Sequence, residues 1–292
     1  MRRTFERSSL TARVVRRFVA GSGTDDAIAV TSDLAGRGLA VSLDHLGEDT
    51  TDADRAKAAT AAYVELLERL TDTGLAARAE VSVKLSALGQ ALDRSMALDH
   101  AREICAAAVA AATTMTVDME DHTTTDATLE AVSDLRADFP WVGAVLQAYL
   151  RRTEADCRDL ATSGSRVRLC KGAYDEPDSV AFTRRADVDS SFRRCLQVLV
   201  EGAGYPMIAT HDPALIEVAG SLVRSSGRAS DSYEFQMLFG VRPDEQARLV
   251  ASGCGVRVYV PYGHDWYGYF MRRLAERPAN VGFFLRAMSS RH

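Results

Sequence analysis

Eight short runs rich in apolar and β-branched residues recur along this chain, and their spacing limits the possible folds more than any other feature. They stand at 39–46, 80–88, 115–121, 142–150, 166–174, 206–211, 233–240 and 255–261. Between them lie longer stretches rich in Ala, Leu, Arg and Glu with helical periodicity, among them 52–71, 96–112 and 187–201. Strands that alternate with helices imply parallel βαβ units. Eight such units over about 225 residues match the size of an α/β (βα)8 TIM-type barrel. No Pro-rich or Gly/Ser-rich linker divides the chain, so it reads as a helical arm over 1–37 and one barrel over 38–292.

The arm is basic, with Arg2, Arg3, Arg7, Arg13, Arg16 and Arg17 against Glu6 in the first twenty residues. Its segment 9–20 has helical spacing, with Leu10, Val14, Val15, Phe18 and Val19 on one side. Two readings stay open, an arm packed on the barrel or a helix touching a membrane surface. A second helical stretch, 25–35, ends at Gly36 and Gly38. The remainder excludes several classes. Charges of 35 Lys plus Arg and 40 Asp plus Glu sum to −5, so no basic excess points to nucleic acid. No apolar run approaches the roughly 18 residues of a membrane span. Five widely spaced cysteines without a CxxC pair form neither a disulfide framework nor a zinc knuckle. With no secretory signal, the expectation is a cytoplasmic protein, with peripheral membrane contact as a further option.

The strands themselves carry the first sign of a site. In a barrel alternate side chains point inward. In 233–240 the apolar set Tyr233, Phe235, Met237 and Phe239 faces the helices, which leaves Glu234, Gln236 and Leu238 inward. In 80–88 the outward set is Val81, Val83 and Leu85, and Ser82, Lys84 and Ser86 turn in. The same phase places Asp118, Glu120, Gln147 and Arg168 in the centre. A purely structural barrel fills its centre with Val, Ile and Leu. Burying these charges costs several kcal/mol each unless they pair or meet a ligand. An ion-pair network and a polar ligand at the C-terminal mouth are both compatible with the pattern, and the number of charges favours the ligand. Of the 35 basic residues only Lys57, Lys84 and Lys171 are lysines. Two of them stand in strand runs, where a compact ammonium has a use.

Common signatures are missing. No G-x-G-x-x-G follows a strand, and no P-loop or H-E-x-x-H occurs. Asp118, Glu120 and His122 are the one set that resembles metal ligands, without a second histidine-carboxylate set to support it. After the last strand, the helical run 265–276 puts Tyr269, Arg272, Arg273 and Glu276 on one face. Over the barrel mouth, that face would present two guanidinium groups, which suit a carboxylate. An ordinary amphipathic helix with surface arginines is the alternative. The first reading implies a small organic acid, such as an amino acid, as ligand, with Lys84 adding a third positive charge.

The motifs in order resemble one family. They are V-S-V-K-L-S-A-L-G (81–89), V-D-M-E-D (117–121), L-Q-A-Y-L (146–150), R-L-C-K-G-A-Y (168–174), A-T-H-D-P (209–213), Y-E-F-Q-M-L-F-G (233–240) and V-R-V-Y-V-P-Y-G followed by Y-F-M-R-R-L-A-E (256–276). Together they are similar to monofunctional bacterial proline dehydrogenases, across about 39–286. The resemblance implies a distorted (βα)8 barrel with FAD in its mouth and a last helix covering the substrate. It implies that Lys84, Arg272 and Arg273 bind the proline carboxylate. Tyr259, Tyr269, Tyr174 and Leu238 would wall the ring. Asp118 and Arg168 fall on active-site positions. Met119, Gln147, Arg168, Lys171, Gly172, Ala173, Thr210 and His211 match FAD contacts, with no metal. Cys170 stands where a β-branched residue is common, and Phe239 replaces a frequent tyrosine.

The implied reaction is hydride transfer from C5 of L-proline to flavin N5, which gives Δ1-pyrroline-5-carboxylate. A membrane quinone would take the electrons. The product would pass to a pyrroline-5-carboxylate dehydrogenase on a separate polypeptide. Oxidation of hydroxyproline or an N-substituted proline, a flavin-binding or ligand-sensing barrel without turnover, and a metal-dependent hydrolase are the competing readings.

Overall fold

The computed structural model describes residues 15–275, with side chains through Arg272. Eight strands close into a barrel in sequence order: β1 (Ala40–His45), β2 (Ala79–Val83), β3 (Met115–Val117), β4 (Gly143–Gln147), β5 (Arg166–Cys170), β6 (Tyr205–Ala209), β7 (Glu234–Leu238) and β8 (Val256–Tyr262). Neighbours are parallel throughout, and β1 closes the ring on β8 with Val41 opposite Val258. The α-helices of the described residues are α1 (Thr24–Gly36), α2 (Ala53–Asp72), α3 (Arg94–Ala110), α4 (Thr125–Asp138), α5 (Thr153–Leu160), α6 (Arg185–Glu201), α7 (Pro213–Ser225), α8 (Pro243–Ala251) and α9 (Trp266–Ala275). Among the described residues, no helix is long and apolar enough to cross a membrane.

Local chemistry sets the helix ends. Asp52, Asp93 and Asp212 cap α2, α3 and α7, accepting backbone N–H groups of Asp54, Ser95 and Ala214. Pro213 opens α7 where its missing N–H costs nothing. Helix α3 stops at Ala110, short of the expected 112, because Ala112 is left-handed at φ 52°. In α2, Tyr63, Leu66, Leu67 and Leu70 recur at helical spacing and are buried against the barrel.

The strands begin within one residue of the positions expected from the sequence, but most end earlier. Strand β2 stops at Val83, and the Ala87 and Leu88 N–H groups fold back onto the Lys84 and Leu85 carbonyls. The alternation of inward and outward side chains outlasts the hydrogen-bonded ladder, which explains the longer runs in the sequence. The expected phase holds. Val81, Val83, Tyr233, Phe235 and Met237 belong to the apolar layer between strands and helices. Ser82, Lys84, Asp118, Arg168 and Gln236 meet one another inside.

The helix before β1, not the one after β8, completes the helical ring. Helix α1 packs outside β1 and β8, a position in the helical ring. Helix α9 crosses the mouth, where Tyr269 and Phe270 are buried with Leu46, Phe18 and Val19. Of the expected basic N-terminal helix, residues 1–14 lie outside the described residues.

Candidate active site

The barrel floor is a buried ion-pair layer. Glu80 on β2 is fully buried and takes Arg166 at 2.6 Å, Arg168 at 3.4 Å and Arg257 at 3.7 Å. Hydroxyls of Ser42, Thr114 and Thr116 also donate to it. Burial opposes its ionisation, but the three guanidinium groups outweigh that and hold its carboxyl far below the usual range. Glu234 on β7 takes Arg257 at 2.8 Å and the Gln236 amide at 2.6 Å.

Arg168 joins this floor to the layer above. Its Nε donates to Gln236, one Nη to Ser82 and to Asp118 at 2.6 Å, and the other to Ser42 and Glu80. A guanidinium has five N–H donors, and each has a partner inside the barrel. Its plane also lies 5.4 Å from the centre of the Tyr259 ring. Any contact with a bound molecule is therefore made by sharing a donor already in use.

Above lies a cluster around Lys84. The ammonium is 2.9 Å from Asp44, 3.4 Å from Asp118, 3.7 Å from Glu48 and 3.2 Å from the Tyr259 hydroxyl. Tyr259 in turn donates to Asp118 at 2.6 Å. Burial works against the Lys84 charge, but the carboxylates around it prevail and raise its pKa well above the ordinary value. Asp118 is also pushed up by burial, and Lys84 and Arg168 overcome this and keep it below the usual range. Asp44 shares the same ammonium and is wholly buried, so desolvation leaves its pKa raised. Burial and the Asp118 and Asp44 charges raise Tyr259 well above 10, so its proton stays on the phenol.

Helix α9 brings the second cation. Arg272 donates to Glu48 Oε1 at 2.5 Å, and its guanidinium stands 5.8 Å from the centre of the Tyr174 ring. Glu48 Oε1 is thus within reach of both Arg272 and Lys84. Tyr269 is 6% exposed on the same helix. Arg273 follows on α9, and its side chain lies outside the described residues.

The other expected residues line the β3–β7 side of the mouth. Gln147 is buried and donates to the Glu120 carbonyl at 2.7 Å, and Met119 is buried beside it in sequence. Lys171 pairs with Asp189 at 2.5 Å and Asp212 at 3.0 Å, and Arg185 reaches Asp212 at 3.1 Å. Thr210 is buried and its hydroxyl accepts the Asp212 N–H. His211 Nε2 accepts the Leu238 N–H at 2.8 Å, which leaves the ring proton on Nδ1. Ala173 is exposed and Leu238 half-buried. Gly172 has φ 109°, and a Cβ there would lie 2.1 Å from the Tyr149 ring. The glycine is thus required by backbone conformation and by Tyr149 together. Asp118, Glu120 and His122 turn to different partners, namely Arg168, Ser86 and Glu176. Among the described residues no group of His, Cys, Asp or Glu is arranged to hold a metal ion.

Sequence reasoning missed Asp44, Glu48, Glu80, Arg166, Arg257 and Glu176. Parity along the strands would have found four of them, since Asp44, Glu80, Arg166 and Arg257 share the inward phase. Glu48 and Glu176 stand in loops, where no period marks an orientation.

A closed barrel whose centre is charged, with two cations at the mouth meeting on one carboxylate oxygen, defines the class: a TIM-barrel protein with a polar, ion-paired mouth. The family model for proline dehydrogenase matches residues 27–286, and the chain belongs to that family. Proline dehydrogenase 2 of Bacillus subtilis is 38% identical over 275 residues, covering 94% of this chain and 90% of the relative. Proline dehydrogenase of Deinococcus radiodurans is 39% identical over 280 residues, with the same coverage. The structure of proline utilization A from Bdellovibrio bacteriovorus, inactivated by N-propargylglycine, superposes with a TM-score of 0.84 at 23% identity. That match covers 90% of this chain and 32% of the larger one, so this chain spans about a third of that protein. Proline utilization A from Bradyrhizobium japonicum gives a TM-score of 0.77 at 24% identity, covering 95% of this chain and 32% of that one. At these identities the two structures speak for the fold.

Proposed function

We propose that this protein oxidises L-proline to Δ1-pyrroline-5-carboxylate with FAD as its cofactor. The observation that carries this reading is the convergence of Lys84 and Arg272 on Glu48 Oε1, at 3.7 and 2.5 Å. An internal carboxylate sits where two cations meet, which is the arrangement a substrate carboxylate needs. Arg273 would join them. Tyr259 lies against Lys84 and Tyr174 against Arg272, and with Tyr269 and Leu238 they would hold the pyrrolidine ring.

The donor set on the β4–β6 rim fits FAD. Lys171 and Arg185 are cations suited to phosphate, and Gln147 and Thr210 are polar and buried. His211 has its ring proton fixed on Nδ1 by the Leu238 N–H. Met119, Gln147, Arg168, Lys171, Gly172, Ala173, Thr210 and His211 would hold the cofactor. FAD, when bound, supplies the hydride acceptor for C5 of proline and a route for electrons to a quinone.

This chain's residues supply orientation and charge. Arg272 and Lys84 bind the substrate carboxylate by exchanging Glu48 for it, which fixes the ring relative to the mouth. Lys84 and Arg168 hold Asp118 ionised, and Asp118 holds the Tyr259 proton, so the polar wall is set before substrate arrives. Helix α9 shuts water out from above through Tyr269 and Phe270.

A visible spectrum of the purified protein, before and after anaerobic L-proline, tests the proposal. Flavin bands that bleach with proline are expected. Bands that persist with proline but bleach with hydroxyproline or an N-alkyl proline would move the substrate assignment. A protein that stays colourless after FAD is supplied would overturn the reading.

A further inference from the structure

Glu176 lies in the long connection between β5 and α6, beyond the residues that any reading above uses. Its side chain is 2% exposed. It accepts the Tyr149 hydroxyl at 3.1 Å, the His122 backbone N–H at 2.9 Å, and the His122 ring through Nδ1. One buried carboxylate therefore ties together the connections that follow β3, β4 and β5. The pin is reinforced from the backbone. The Tyr149 N–H donates to the Lys171 carbonyl at 2.8 Å, and the Phe182 N–H donates to the Tyr149 carbonyl at 2.7 Å. Leu150 bridges Ala181, and Arg151 stacks on Phe182 at 4.7 Å. Tyr149 so grips both ends of the connection, while its ring fills the space a Gly172 side chain would need.

Burying a carboxylate costs free energy that its hydrogen bonds must offset. What these bonds fix is the arm 171–174, with Lys171 at one end and Tyr174, stacked with Arg272, at the other. We propose that Glu176, with Tyr149 and His122, is the positioning group that sets this arm, and through it both cofactor retention and the Tyr174 wall of the substrate pocket. The inference rests on the flavin reading above.

Two measurements on full-length protein test it. Amide hydrogen exchange over 171–184 in Glu176→Ala is expected to quicken at least tenfold, with exchange in β1, β2 and β8 unchanged. Flavin affinity, measured by quenching of flavin fluorescence on the apoprotein, is expected to fall about tenfold. The KM for proline should rise several-fold, while kcat of the flavin-saturated enzyme stays within about twofold. Glu176→Gln, which keeps the acceptor oxygen, should restore most of the affinity. Tyr149→Phe keeps the ring, removes one bond and should give an intermediate effect, which also serves if Glu176→Ala does not fold. Wild-type exchange over 171–184 in these variants would overturn the proposal, as would flavin affinity and KM equal to wild type. If wild-type protein takes no flavin, the flavin reading falls, and the exchange experiment still decides whether Glu176 pins the arm.

Discussion

At the scale of single residues, two positions beside Lys171 carry sharp consequences. Gly172 combines a positive φ with a Tyr149 ring in its Cβ space. Gly172→Ala is expected to lower stability by about 2–3 kcal/mol, since backbone strain and displacement of a packed ring add. A urea midpoint equal to wild type would show that the Tyr149 ring yields. Asp212 has its pKa drawn down to about 2: burial raises it, and bonds from Lys171, Arg185 and the Ala214 N–H overcome this. A depressed carboxyl contributes stability above its unfolded value, near 3.8, and loses it as pH falls through the folded value. The stability difference between wild type and Asp212→Asn should therefore be full above about pH 5 and close on the way from about pH 4 to about pH 2. A difference that is constant over that range would assign Asp212 to capping α7 alone. The sequence reading assigned Lys171 and Gly172 to a cofactor, and their neighbours Asp212 and Tyr149 were not foreseen. Motif resemblance marks a position, but it is silent on which internal group answers it.

At the scale of elements, the strand starts were legible because each follows a helical stretch whose apolar period of 3.6 gives way to 2 across a connection of three to eight residues. The strand ends were not, because inward polar residues such as Lys84 and Glu120 keep the alternation after the ladder has ended. Helix α9 was legible as an amphipathic run bearing Arg272 and Tyr269. Its second buried face was missed. Phe270 is 1% exposed and packs on Trp266 and Phe18, with ring centres 5.9 and 6.4 Å away. This cluster is separate from the main barrel core. Phe270→Ala is thus expected to loosen α9 without melting the barrel. Its signature would be faster amide exchange in 266–275 and a proline KM raised several-fold, with global unfolding moved by about 1 kcal/mol or less. A loss of about 3–5 kcal/mol, as for a core Phe→Ala change, would instead make α9 part of the cooperative unit.

At the scale of the whole molecule, the barrel interior is a charge column running from floor to mouth, in place of the usual stack of branched apolar side chains. Glu80 and Glu234 lie at the floor with Arg166 and Arg257, Arg168 and Asp118 stand above, then Lys84 and Asp44, then Glu48 and Arg272. Inward parity made Lys84, Asp118, Arg168 and Glu234 of this column visible in the sequence. The pairing was not visible, because it depends on strands that lie far apart in the chain but close across the barrel, as Glu80 and Arg166 do. Such a column couples the floor to the site. Glu80→Gln leaves Arg166, Arg168 and Arg257 short of their common anion, and truncating one partner of a buried pair costs about 3–5 kcal/mol. The same variant should also lose acid sensitivity, since the ionised Glu80 contributes stability above its unfolded value, near 4.5, that is given up progressively as pH falls below that value. Pairing it with Arg166→Gln removes one of the orphaned charges, so the double variant should be more stable than the sum of the two single losses by at least about 1 kcal/mol. Because Arg168 holds both Glu80 and Asp118, the floor variant should also weaken proline binding, although Glu80 lies a layer below the mouth. Urea unfolding of the four proteins measures the coupling, and proline titration measures its reach. Additive losses with unchanged proline affinity would mean that each layer of the barrel is balanced independently, and that Arg168 transmits nothing between them.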